Sequence, residues 1–225
     1  MEEIGTGDIQ KKAVKKHKAK MASKITIDSD IESKLEDLYT IYTVDPIRWV
    51  KDKFGSNILN KAIARGCDVK TETGLTLDQE EALIELSNII KARLKAHYNL
   101  PLTDEEKIYN KKIGMSIQAG KGVGKDFFAA LVGLYILDVF PKSRVPCMAN
   151  TEKQLTNVLW SQFSEMMNMA ERISDTETVL THRFEMQSHK IFEKTYKGKE
   201  WFAEQITINT KGSDEEQTAS ISGRH

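Results

Sequence analysis

No stretch of this sequence stays apolar over the roughly 18 residues that a membrane-spanning helix needs, so no membrane span is expected. The opening residues, Met1-Glu2-Glu3, lack the apolar core of a secretory signal, and none is expected. There is no C-x-x-C. Cys67 and Cys147 stand alone, which argues against a zinc knuckle or a disulfide framework and suits a reducing cytoplasm. The five histidines have no metal-ligand spacing, and His182 and His189 read as surface or core residues of a polar, strand-like region. Net charge is missing too. Lys+Arg and Asp+Glu both total 33, so there is no global electrostatic footprint for nucleic acid, and any DNA contact is confined to a local patch.

What is present is enough for a sizeable core. The chain has 225 residues and 40% hydrophobic content, which fits one α/β domain with an appendage or two small domains. It is organised around Ala119-Gly120-Lys121-Gly122-Val123-Gly124-Lys125-Asp126. A short apolar run, residues 113–117, precedes this stretch and predicts a strand. Residues 127–140, apolar at helical spacing, follow it and predict a helix. Strand, glycine-rich loop and helix with Lys at its mouth is the layout of a phosphate-binding loop. Glycines let backbone N–H groups turn inward around an anion, the helix adds the positive end of its dipole, and Lys125 would reach the β- and γ-phosphates. The match to G-x-x-x-x-G-K-[ST] is incomplete: Ala119 stands at the first glycine and Asp126 at the Ser/Thr position. The alternative is a glycine-rich turn with Lys125 on the surface.

The rest of the chain supplies the surroundings. Residues 1–28 read as a basic tail, with a cluster over residues 11–20 that is either a solvated arm or a docking arm for DNA or a partner. Ile31, Leu35, Leu38 and Ile41 form a helical stripe. Asp45-Pro46 starts a short helix that carries Trp49 and ends at Gly55. Thr76 caps a long helix, and Gln79 three residues on completes a capping box. The same glutamine could instead read adenine, because a side-chain amide donates and accepts at once. Residues 99–112 read as a polar connector. The Leu134-Tyr135-Ile136-Leu137-Asp138 run resembles a metal-binding strand end, but its spacing is helical and that role is rejected. Residues 144–150 predict a second, buried strand, and Thr151 caps a helix through Met169 whose Met cluster reads as core. Strands are expected over 183–187, 190–196 and 200–210, with a tight turn at Lys197-Gly198-Lys199 and a polar loop after 210.

The strand–helix–strand–helix order predicts an α/β fold with a mainly parallel sheet. Its expected parts are a tail over 1–28, a helical lead-in over 29–110 and a phosphate-loop core over 111–225. After Lys125 no buried strand ends in Asp or Glu to hold Mg²⁺. The expectation is therefore an incomplete sheet in a truncated chain, unable to hydrolyse ATP by itself.

Taken together, these motifs resemble the N-terminal ATPase region of large terminase subunits, the DNA-packaging motors of tailed bacteriophages. The resemblance rests on residues 116–126, which look like that family's loose phosphate loop, and on residues 149–155 with Trp160, which look like its following strand-to-helix element. Leu77-Asp78-Gln79 resembles its upstream glutamine motif, and Ser222-Gly223-Arg224-His225 the loop before its acidic metal-binding strand. It implies a P-loop NTPase fold preceded by a helical subdomain, and an ATPase that drives viral DNA into a procapsid. Implied cofactors are ATP and Mg²⁺. Gln79, Gly120, Lys121, Gly122, Val123, Gly124, Lys125 and Asp126 would hold the nucleotide, with Lys125 catalytic and Asp126 on the metal. Implied partners are double-stranded viral DNA, the portal protein, the small terminase subunit and further copies of the chain on the portal, in the host cytoplasm. Two departures stand out: Asp126 replaces a hydroxyl, and Lys121 occupies a position that holds an arginine in some relatives. The alternatives are another P-loop nucleic-acid motor, helicase-like or partitioning, and a non-catalytic DNA- or partner-binding module with a degenerate loop.

Overall fold

The computed structural model describes residues 41–118, 120 and 122–207. The basic tail, most of the stripe beginning at Ile31, loop positions Ala119 and Lys121, and the terminal Ser222-Gly223-Arg224-His225 lie outside the described residues.

Asp45 accepts a hydrogen bond from the Arg48 N–H at 2.9 Å, and Pro46 takes the first helical position, so α1 (Pro46–Phe54) starts where the sequence predicts. After α2 (Asn57–Ala64), α3 (Leu77–His97) begins with the predicted capping box of Thr76 and Gln79. The stretch read as a polar connector contains a further helix, α4 (Asp104–Lys111), started by a second capping box between Thr103 and Glu106. Lys95 on α3 pairs with Glu106, and Lys112 pairs with Glu85, which hold α4 along α3.

The central element is α5 (Lys125–Val139). It is apolar nearly all round because it is covered on more than one side. Trp49 of α1 meets Tyr135 edge-on at 5.5 Å, and the Tyr135 hydroxyl donates to the Tyr42 carbonyl at 2.8 Å. Residues 42–207 thus belong to one compact unit in which α1 packs directly on α5. A long helix, α6, follows a strand and covers residues 152–169. It comprises Glu152–Gln154, a π-helical stretch Leu155–Trp160 and Ser161–Met169, with Thr151 as the predicted cap. Met166 and Met167 are buried core, as expected.

The strands are β1 (Arg144–Ala149), β2 (Phe184–Met186), β3 (Lys190–Glu193) and β4 (Phe202–Thr207), and α7 (Val179–Arg183) leads into β2. They form one sheet in the order β1-β4-β3-β2. The chain is thus α/β, but the sheet is mixed. Only β1 and β4 are parallel; β4/β3 and β3/β2 are antiparallel. Short connections force this. Parallel neighbours need a crossover of a dozen or more residues, which α6 and α7 supply between β1 and β4, whereas β2 to β3 and β3 to β4 are joined too closely.

Two further expectations are corrected. Residues 113–117 join no strand: Ile113 is 97% exposed, and the segment starts tied to α3, where Arg93 donates to the Lys112 carbonyl at 2.5 Å. An apolar alternation makes a strand only where it finds an edge to pair with and a face to cover. The strand over 144–149 is not buried either. Among the described residues it ends the sheet with one neighbour, and Cys147 is its single buried residue. Among the described residues, no helix is long and apolar enough to cross a membrane.

Candidate functional site

The glycine-rich loop folds as a left-handed entry into α5. Gly122 has φ of 83° and Gly124 has φ of 80°, conformations that L side chains rarely adopt. Gly124 is the N-cap of α5 and carries no side chain to satisfy the helix start. The first bond within the helix runs from the Phe128 N–H to the Gly124 carbonyl at 2.9 Å, so the N–H groups of Asp126 and Phe127 have no acceptor inside the helix. Lys125 Nζ donates to the Gly120 carbonyl at 2.9 Å, across the base of the loop. Val123, Lys125 and Asp126 are exposed. Among the described residues nothing lies within 4 Å of a Cβ placed on Gly120 or Gly122, so these two positions face open space.

The structure brings the upstream glutamine to this loop. Gln79 Nε2 reaches the Gly124 carbonyl at 3.5 Å, while its Oε1 accepts from the Thr76 N–H at 3.0 Å. A Cβ on Gly124 would sit 3.2 Å from that nitrogen. Gly120, Gly122, Gly124, Lys125 and Gln79 are therefore joined in one constellation, with Asp126 one residue into the helix. Lys121 lies outside the described residues.

The loop's place in the fold follows from chain direction. After α5 the chain reverses through residues 140–143 and enters β1. The N-terminus of α5 thus lies at the carboxyl end of β1 and its parallel neighbour β4, the end where ligands bind in open α/β sheets. That end also carries a polar cluster that sequence reading did not single out. Thr156 Oγ1 donates to Gln205 Oε1 at 3.1 Å, His189 Nδ1 lies 3.3 Å from the same oxygen, and Gln205 Nε2 donates to the Ser188 carbonyl at 3.1 Å. Thr156 belongs to the π-helical stretch, a distortion frequent at functional sites.

At the opposite end of α5, Asp138 is 1% exposed and lies inside the helix, as its spacing predicts. Burial alone pushes its carboxyl up. Lys53 and Arg183, with the Trp49 N–H, outweigh that and hold it below the usual carboxylate range. Its three partners come from distant parts of the chain, so nothing local in the sequence signals them. The role is structural, since Asp138 is remote from the loop.

Among the described residues, no group of three or more His, Cys, Asp or Glu could hold a metal ion. Asp126 offers one exposed carboxylate at the helix mouth. No protein-family model, curated protein or solved structure matches this chain.

Proposed function

We propose that residues 119–126 bind the phosphates of ATP, and that the chain is the ATP-binding part of a viral DNA-packaging motor of the large-terminase type with a P-loop NTPase core. What supports the nucleotide reading is the loop geometry: two left-handed glycines feed the N-terminus of a 15-residue helix, and Lys125 lies across the loop base. Backbone N–H groups at such a helix start favour an anion, and Lys125 can exchange the Gly120 carbonyl for a β- or γ-phosphate oxygen. Mg²⁺ is commonly held by one or two carboxylates together with nucleotide phosphates and waters. Asp126 fits as one such carboxylate, and the phosphates and waters complete the shell. The metal would neutralise charge on the transferred phosphoryl group. The terminase assignment rests on the resemblance of the sequence motifs and their order. In that role the chain works with ATP and Mg²⁺ at the portal of a procapsid in the host cytoplasm. It moves double-stranded DNA together with the portal protein, the small terminase subunit and further copies of itself.

The test is ATP titration of the wild type and Lys125→Ala by calorimetry with Mg²⁺ present. Lys125 is exposed, so the variant should keep the wild-type melting temperature while losing nucleotide affinity. Equal affinity in both proteins would reduce the loop to a turn.

A further inference from the structure

We propose that Gln79 positions the phosphate loop and does not read the adenine base. This rests on the phosphate-binding reading above and departs from the base-reading role that the glutamine motif suggests. A carboxamide reads adenine by turning its carbonyl and its amino group together to the edge of the base. In Gln79 both groups already face other partners. Oε1 accepts from the Thr76 N–H at 3.0 Å, and Nε2 points to the Gly124 carbonyl at 3.5 Å.

The residue is aimed from a fixed base. Thr76 Oγ1 accepts from the Gln79 N–H at 3.3 Å, closing the capping box. The preceding turn is buried at Thr73, Gly74 and Leu75. Thr71 Oγ1 donates to the Leu75 carbonyl at 2.5 Å, and Thr73 Oγ1 to Glu80 at 2.6 Å. Gly74 has φ of 83°, and a Cβ there would fall 2.3 Å from the Leu59 backbone nitrogen, so the turn is seated against α2 with no room to shift.

The position it contacts controls the anion site. The Gly124 carbonyl also accepts from Phe128 N–H at 2.9 Å and so begins α5. The Gly124–Lys125 peptide is planar and trans, so its C=O and N–H point in opposite directions. Holding the carbonyl toward Gln79 and Phe128 turns the Lys125 backbone N–H the other way. Gln79 thereby reinforces, beside the helix's own first bond, the orientation of a peptide whose N–H belongs to the phosphate cradle. Loss of the glutamine should weaken every ligand that carries the phosphates, whatever base is attached.

The experiment compares dissociation constants for ATP, GTP and inorganic tripolyphosphate, each with Mg²⁺, in wild type, Gln79→Leu, Thr76→Ala and Lys125→Ala. Gln79→Leu removes the amide without adding charge. Thr76→Ala removes the hydroxyl half of the same capping box, weakening the start of α3 but leaving the glutamine donor. The expected result is an approximately 3- to 5-fold loss for all three ligands in Gln79→Leu, the lower part of the range for one net hydrogen bond because the contact is long, and less than about 2-fold change in Thr76→Ala. A loss confined to ATP, with tripolyphosphate unaffected, would make Gln79 a base reader and overturn the proposal. So would equal losses in Gln79→Leu and Thr76→Ala, which would mean a frayed helix, or no loss in Gln79→Leu. If wild type binds none of the three ligands, or Lys125→Ala binds them equally well, the phosphate-loop reading itself has failed.

Discussion

Arg183 Nη1 donates to the Asp138 carboxylate at 2.6 Å and to the Asp138 backbone carbonyl at 3.0 Å, clasping the last turn of α5 to the end of α7. The same carboxylate receives Trp49 Nε1 at 2.8 Å and lies 2.9 Å from Lys53 Nζ, both from α1. One buried acid thus ties α1 and the entry to β2 onto the central helix. The guanidinium also stacks 4.6 Å from the Trp201 ring, and Trp201 Nε1 donates to the Leu137 carbonyl at 2.6 Å, which extends the junction to β4.

Removing the acid leaves two cations facing a buried site. Asp138→Ala should therefore lose about 3–5 kcal/mol of stability, the range for breaking one side of a buried pair, read as a lower urea midpoint with unchanged slope. The sign of the pH dependence follows from the depressed carboxyl. Its contribution is present above the unfolded value of about 3.9 and is lost as pH falls through the lower folded value. The difference between wild type and Asp138→Asn should stay flat at neutral pH and shrink below about pH 4. A difference that grows on acidification would contradict this assignment.

Gly133 lets α6 approach α5. A Cβ there would lie 2.8 Å from Phe163 Cζ and 3.0 Å from Cε1, and Phe163 is fully buried, so its ring has nowhere to swing. Gly133→Ala should cost about 1–3 kcal/mol by overpacking, less the ~1 kcal/mol that alanine gains over glycine in a helix. Pairing it with Phe163→Leu supplies the check. Urea unfolding of the double variant should show a smaller loss than the sum of the two singles, and strict additivity would mean that the two positions do not meet.

The two cysteines should behave differently. Burial pushes the Cys147 thiol up to about 12, so at pH 8 almost none of it is the reactive thiolate, whereas Cys67 is exposed. A disulfide reagent added to the native chain should titrate one thiol quickly and the second only after denaturant is added. Two fast thiols would show that β1 opens readily.

Much of this architecture was legible because its signals are local. Asp45-Pro46, Thr76 with Gln79, and Thr151 each marked a helix start through residues no more than three apart, and all three helices begin there. The all-apolar stretch behind Lys125 identified α5. What escaped depends on pairing between distant parts of the chain. Residues 113–117 have the alternation of a strand, but periodicity cannot say whether a partner edge is within reach. The mixed sheet was hidden for the same reason: the register of β1 with β4 is set by the crossover through α6 and α7. In the site, the sequence placed Gln79 beside two rival roles, and only the fold showed which groups its amide faces. The Thr156–Gln205–His189 cluster is assembled from α6, β4 and the β2–β3 connection and has no motif.

Helix α4 escaped notice although its start is written locally, because it buries no residue and so has no apolar stripe. Its sequence signal was the Thr103-x-x-Glu106 capping box, in which Thr103 Oγ1 accepts from the Glu106 N–H at 3.2 Å and Glu106 accepts from the Thr103 N–H at 2.9 Å. Without a buried face to hold it, such a helix depends on its cap far more than α5 does. Thr103→Ala should remove about 1 kcal/mol from α4 and raise amide exchange across residues 104–111 by around 5-fold, leaving exchange in α5 unchanged. Equal acceleration in both helices would mean that α4 opens only with the whole fold. In that case its contacts with α3, through Lys95 and Glu106, would govern its stability more than the cap.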